Sequence, residues 1–94
     1  MPFHWLNNQG VESSAGYVLQ RMHRFYYHYT EGERVVQVIV EPGIQREELF
    51  LDKKAKWQPP HDAEQIPTRK LIAIQRNISD ALTFMSIPHV FKDK

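Results

Sequence analysis

Two hydrophobic periodicities divide the chain into a β-rich front and a helical back. Residues Gly16 to Glu41 carry the strand signal, concentrated in Phe25-Tyr26-Tyr27-His28-Tyr29 and Val35-Val36-Gln37-Val38-Ile39-Val40. Aromatic and β-branched side chains fit a pleated, half-buried surface. Between these runs lies Thr30-Glu31-Gly32-Glu33, where glycine supplies the positive φ that a tight hairpin needs. With Glu31-Gly32 as a two-residue loop, Tyr29 faces Arg34, Tyr27 faces Val36, Phe25 faces Val38 and His23 faces Val40. One face then collects Phe25, Tyr27, Val36, Val38 and Val40, which reads as the core side. The other collects Arg24, Tyr26, His28, Val35, Gln37 and Ile39. A three-residue loop would mix Arg24 and His28 with the valines, so the two-residue loop is preferred. Gly16-Tyr17-Val18-Leu19-Gln20 forms either a separate first strand or the start of one long, bent strand. Glu41-Pro42-Gly43-Ile44 reads as a type II turn, and Glu48-Leu49-Phe50-Leu51-Asp52 as a further strand.

Leu71, Ile74, Ile78, Ala81, Leu82 and Met85 recur at three- and four-residue spacing, which predicts an amphipathic helix from about Thr68 to Ser86. Its stripe should lie on the sheet, with Arg69, Arg76 and Asp80 opposite and Ile72 and Phe84 on the flanks. Thr68 can cap the start, and Ile87-Pro88 stops the helix. Trp57-Gln58-Pro59-Pro60 cannot be regular helix or central strand, because its prolines remove backbone donors. It should carry the chain from sheet to helix with Trp57 packed on the core, and residues 62–65 can form one turn before Pro67. The expected fold class is α+β: a small antiparallel sheet of about four strands packed on one C-terminal amphipathic helix, in a single domain spanning residues 1–94.

Composition narrows the functional classes. With 94 residues, 41% hydrophobic and 24% charged, the chain is an ordinary globular domain with a modest core. A net charge of +1 argues against a dedicated nucleic-acid binder, whose affinity rests on neutralising phosphates. The absence of cysteine excludes disulfides and thiolate metal sites. The start, Met1-Pro2-Phe3-His4-Trp5-Leu6, lacks the basic and apolar regions of a signal peptide, and no run is long enough to span a membrane. A cytoplasmic location is therefore expected.

No pattern of residues points to chemistry. His23 and His28 are five apart, so on one regular strand they face opposite ways and cannot share a metal. No metal-ligand spacing occurs among the histidines, and no cofactor is expected. An acid–base pair could be sought in His23 or His28 with Glu33, Glu41 or an arginine, but no triad or motif marks one, and no catalytic residue is assigned. The run from Arg21 to Tyr29 interleaves basic and aromatic residues, which suits base stacking as well as a solvent face with snorkelling side chains. Lys53-Lys54-Ala55-Lys56 reads as a solvated cluster able to steer a charged partner. If the non-core face stays open, Arg24, Tyr26, His28, Gln37 and Ile39 form the expected partner-binding surface. An open face or edge could also support a homodimer.

The segment Leu49-Phe50-Leu51-Asp52, Trp57-Gln58-Pro59-Pro60, Ile66 and the helix carrying Asn77-Ile78-Ser79-Asp80-Ala81-Leu82 resembles a bacterial immunity-protein family of polymorphic toxin systems, numbered immunity family seventy-four. The pattern is a short strand, then Trp-x-Pro-Pro, then a helix containing Asn-Ile-x-x-Ala-Leu. It covers the last half of the chain, and the Gly32-Glu33-Arg34 hairpin fits loosely. At Ser86 the chain departs from it, where a glycine ending the helix is expected. The resemblance implies a small α+β protein that neutralises a cognate toxin domain by stoichiometric binding, without catalysis or cofactor. It designates no toxin-binding residue. The alternative expectation is an RNA-binding module using the basic, aromatic strand.

Overall fold

The computed structural model describes residues 2–92. Seven strands and one helix follow in the order β1 (Phe3–Asn7), β2 (Gly10–Ser13), β3 (Tyr17–His23), β4 (Tyr26–Glu31), β5 (Arg34–Pro42), β6 (Glu47–Phe50), α1 (Thr68–Phe84) and β7 (His89–Phe91). The strands make one sheet in strict sequence order. Every neighbouring pair from β1 to β6 is antiparallel, while β7 joins β6 in parallel after α1 has crossed the inner face. The α+β class and the helix on a largely antiparallel sheet are as the periodicities predict. The count of strands is not, because β1, β2 and β7 were absent from the expected set.

The β4–β5 hairpin has a two-residue loop, but the loop is Gly32-Glu33, with Glu31 opposite Arg34. Tyr29 therefore pairs with Val36 and Tyr27 with Val38, a slide of two residues from the expected register. A slide of two preserves side-chain direction, so the faces are as expected. Gly32 takes the positive φ, at +60°. Phe25 is the exception to the expected core face. A two-residue turn at Arg24-Phe25 separates β3 from β4, so these are two strands rather than one bent one, and Phe25 is 48% exposed. The turn after β5 is not type II, because Gly43 has no positive φ and Pro42 still pairs with Glu47. Gly43 is needed for space instead: a Cβ there would collide with the Arg46 carbonyl.

The core lies between the sheet's inner face and α1. Val11, Tyr17, Leu19, Tyr27, Tyr29, Val36, Val38, Val40 and Leu49 meet Leu71, Ile74, Ile78, Ala81 and Leu82 from the helix. Met85 is half-buried at the end of that stripe, and Ile72 is exposed. Thr68 is the first helical residue rather than the cap; Pro67 holds the cap position in extended backbone, with no side-chain hydrogen bond. The helix ends at Phe84, two residues earlier than expected. Its close is a Schellman motif, in which Ser86 N–H donates to the Thr83 carbonyl at 3.1 Å and Ile87 N–H to that of Leu82 at 2.9 Å.

Trp57 is the anchor expected of the connector, being 6% exposed within the core. Gln58 N–H donates to the Val35 carbonyl at 2.6 Å, so the connector runs beside the part of β5 that the shorter β6 leaves unpaired. Among the described residues no helix is long and apolar enough to cross a membrane.

Candidate partner-binding face

The outer face of the sheet is built by strand alternation. In β4 and β5, Tyr27, Tyr29, Val36, Val38 and Val40 turn inward, which turns Tyr26, His28, Gln37 and Ile39 outward. Register then makes a block of them: His28 is directly opposite Gln37 and Tyr26 directly opposite Ile39, with Phe50 beyond Ile39 on β6. Four of the five sequence-predicted residues are thus brought together. Arg24 stands apart from the strands, in the β3–β4 turn that borders the block, with its guanidinium 5.5 Å from the centre of the Phe25 ring.

The turn adds residues to this face that alternation did not assign to it. The His23 ring stacks on Tyr26 at 5.5 Å and 15°, and Tyr26 in turn meets His28 at 5.5 Å and 35°. His23 and His28 do not point to opposite faces, because the turn between them puts them on different strands, where both flank Tyr26. Phe25 packs against His23 at 5.5 Å. The turn sequence has neither glycine nor proline to announce the break. Phe50 could have been found, since it alternates with Leu49 and Leu51, which are both buried.

The turn is held from several sides. Arg21 donates to the Arg24 carbonyl at 2.7 Å, Val40 N–H donates to the Phe25 carbonyl at 2.8 Å, and Phe25 N–H donates to His23 Nδ1 at 3.3 Å. Arg21 itself is fixed on the inner side by Glu47 at 2.6 Å and the Tyr27 hydroxyl at 2.9 Å, while Tyr27 donates to the other Glu47 oxygen at 2.7 Å. Burial raises the Tyr27 pKa well above the usual tyrosine range, and the bond to Glu47 adds to the rise while Arg21 opposes it. The hydroxyl therefore stays protonated as a donor. Burial works against the Arg21 charge, but the Glu47 carboxylate and the Tyr27 hydroxyl more than offset it and raise its pKa.

A second network fastens the other end of β4 to the helix. Tyr29 donates to Glu31, Asn77 donates to the Tyr29 hydroxyl at 2.9 Å, and Lys70 donates to Glu31 at 2.6 Å. Burial, then the bond to Glu31, raises the Tyr29 pKa, against a smaller opposing effect of Asn77. The β4 part of the outer-face block therefore rests on a strand held near both ends.

Gln37, Ile39 and Phe50 line an open groove of about 280 Å³ together with Asp52, Ala55, Lys56 and Gln58. The acid–base pairs sought with His23 or His28 do not form. Glu33 sits in the β4–β5 turn, at the far end of β4 from Tyr26, and neither histidine makes an ion pair among the described residues. Among those residues no group of three or more His, Asp or Glu side chains could hold a metal ion. Lys53, Lys54 and Lys56 line a separate depression with Asp62 and Glu64. Comparison with protein-family models, curated proteins and solved structures gives no match to this chain.

Proposed function

We propose that this chain is a non-catalytic protein-interaction domain that binds a protein partner on the outer face of its sheet. The observation that carries the reading is the cross-strand block of Tyr26 with Ile39 and His28 with Gln37, extended by His23 and Phe25. Interfaces draw most of their energy from a few aromatic and arginine anchors on a preorganised surface, and this face combines both with pinned backbone. The groove beside Ile39 offers a socket for a reciprocal anchor. The resemblance of the second half of the chain to immunity proteins supplies the class of partner, a bacterial toxin domain neutralised in the cytoplasm by one-to-one binding.

A second reading rests on one observation. The His23–Tyr26–His28 ladder with Arg24 at its end is also a platform on which unpaired bases could stack. Calorimetric titration separates the two. The purified protein is titrated with catalytic domains of bacterial polymorphic toxins, and separately with single-stranded oligoribonucleotides at several salt concentrations. One-to-one binding of the toxin is expected, weakened at least about tenfold by Tyr26→Ala or Ile39→Ala, equivalent to roughly 1.4 kcal/mol. Toxin affinity unchanged in the double variant would remove this face from the proposal. Strongly salt-dependent RNA binding without toxin binding would replace the proposal with the second reading.

A further inference from the structure

The two edges of the sheet are treated differently. The β7 edge is three residues long, enters from Pro88 and leaves at Lys92. Short strands, proline and lysine are the means by which edges are protected from further pairing. The β1 edge has Phe3, His4, Trp5, Leu6 and Asn7, with no proline, lysine or carboxylate within it. Trp5 is 49% exposed and Leu6 48%.

The pairing of β1 with β2 shows which backbone groups are spare. Ser14 N–H donates to the Pro2 carbonyl at 2.7 Å, and the register continues through Phe3 opposite Ser13, His4 opposite Glu12 and Trp5 opposite Val11. Hydrogen-bonded and non-hydrogen-bonded pairs alternate along an antiparallel ladder. Pro2 and His4 therefore direct their backbone groups toward β2, while Phe3 and Trp5 direct theirs away from the sheet. The irregularity between Trp5 and Asn7 ends this pattern. The spare set is the N–H and C=O of Phe3 and of Trp5, two residues apart.

This set is complementary to itself. We infer that β1 pairs antiparallel with β1 of a second copy of the chain, about a two-fold axis through His4, joining the two sheets into one. Phe3 of each copy then exchanges both backbone bonds with Trp5 of the other. The two His4 residues form the intervening non-hydrogen-bonded pair, as they must, since their backbone groups already face β2. Each His4 side chain stays beside its own Glu12, at 3.1 Å. On the inner side the register places Phe3 across from Trp5 of the other copy, a favourable cross-strand aromatic pair. In each protomer these rings already meet Phe84, Phe3 at 5.3 Å and Trp5 at 5.7 Å, so the joined edge extends an existing aromatic cluster. A two-fold contact requires a self-complementary patch, and the spacing of spare donors and acceptors meets that requirement. The inference does not depend on the partner-binding face, which lies on other strands.

The test is the mass of the 94-residue protein by sedimentation equilibrium from micromolar to millimolar concentration. A species of twice 11.2 kDa is expected as concentration rises. Trp5→Pro deletes an N–H that the ladder directs away from β2, together with a half-exposed ring, so it should raise the dimer dissociation constant at least tenfold, with Trp5→Ala, which loses the ring but keeps the N–H, as the control for lost packing. Hydrogen exchange on the unsubstituted protein gives a measurement that does not depend on the variant folding. The Phe3 and Trp5 amides should gain protection with concentration, while the His4 amide is protected throughout. A monomer over the whole range overturns the inference, as does a dimer in which the Phe3 and Trp5 amides exchange freely.

Discussion

Ser86 offers the sharpest quantitative check on the structure. It occupies the position after the helix cap with φ +61°, the left-handed conformation, and no other non-glycine residue among those described has a positive φ. For an L-residue that conformation costs about 1–2 kcal/mol, because Cβ crowds the following carbonyl. Glycine removes the crowding but has more freedom to lose on folding, a cost of about 0.5–1 kcal/mol. Ser86→Gly should therefore stabilise the protein by about 0.5–1 kcal/mol. The Schellman bonds of Ser86 and Ile87 are made by backbone and survive the change, and the serine side chain is exposed. For a domain of this size the gain corresponds to a rise of about 2–8 °C in Tm. Urea and thermal unfolding followed by circular dichroism would measure it, with Ser86→Ala as the control that keeps Cβ and should stay within about 0.5 kcal/mol of the parent. A Tm unchanged or lowered by glycine would refute the left-handed assignment and, with it, this account of how the helix ends.

Two further outcomes follow from the core and its tyrosines. Ile78 is fully buried between helix and sheet, so Ile78→Ala should cost about 2–5 kcal/mol in urea denaturation, a large fraction of the stability of a domain of modest core. The pKa values of Tyr27 and Tyr29 are raised, so the stability that these hydroxyls contribute is fully present below the ordinary tyrosine value of about 10 and is lost as pH rises beyond it. Tyrosinate absorbance on alkaline titration should accordingly rise in a cooperative step that coincides with loss of circular dichroism; independent, gradual ionisation of all the tyrosines would contradict the burial.

Helix α1 was readable because its apolar spacing persists over several turns and the sheet takes that whole stripe. The β4–β5 hairpin was readable in its faces but not in its register, for a definite reason. An alternating pattern reports only odd against even positions, so Val36 opposite Tyr27 and Val36 opposite Tyr29 satisfy it equally. Which pairing occurs is decided by where glycine sits in the turn, and Gly32 at its first position settles it. Strands β1, β2 and β7 were missed because each is short and polar in part. In β2, Val11 is the only large apolar residue, and Gly10 beside it looks like a loop residue. Gly10 is in fact buried under the Gln20 side chain, which crosses it to reach Asn7; a Cβ at that position would overlap the Gln20 amide. Of the outer-face block proposed to bind a partner, Tyr26, His28, Gln37 and Ile39 were readable from alternation alone. His23 and Phe25 were not, since their placement depends on a turn with no turn-forming residue in its loop.

The sequential order of the strands also bears on how the protein is made. From β1 to β6 each strand pairs with its neighbour in the chain, so each closure spans only a short loop and is entropically cheap. The cover for the inner face comes only with α1, in the last third of the chain. During synthesis the meander can form as it emerges from the ribosome, but Tyr27, Val36 and Val38 then line a sheet with nothing packed on it. The nascent protein thus passes through an interval in which its future core is a sticky open surface, and the length of that interval is set by the time taken to translate the connector and the helix.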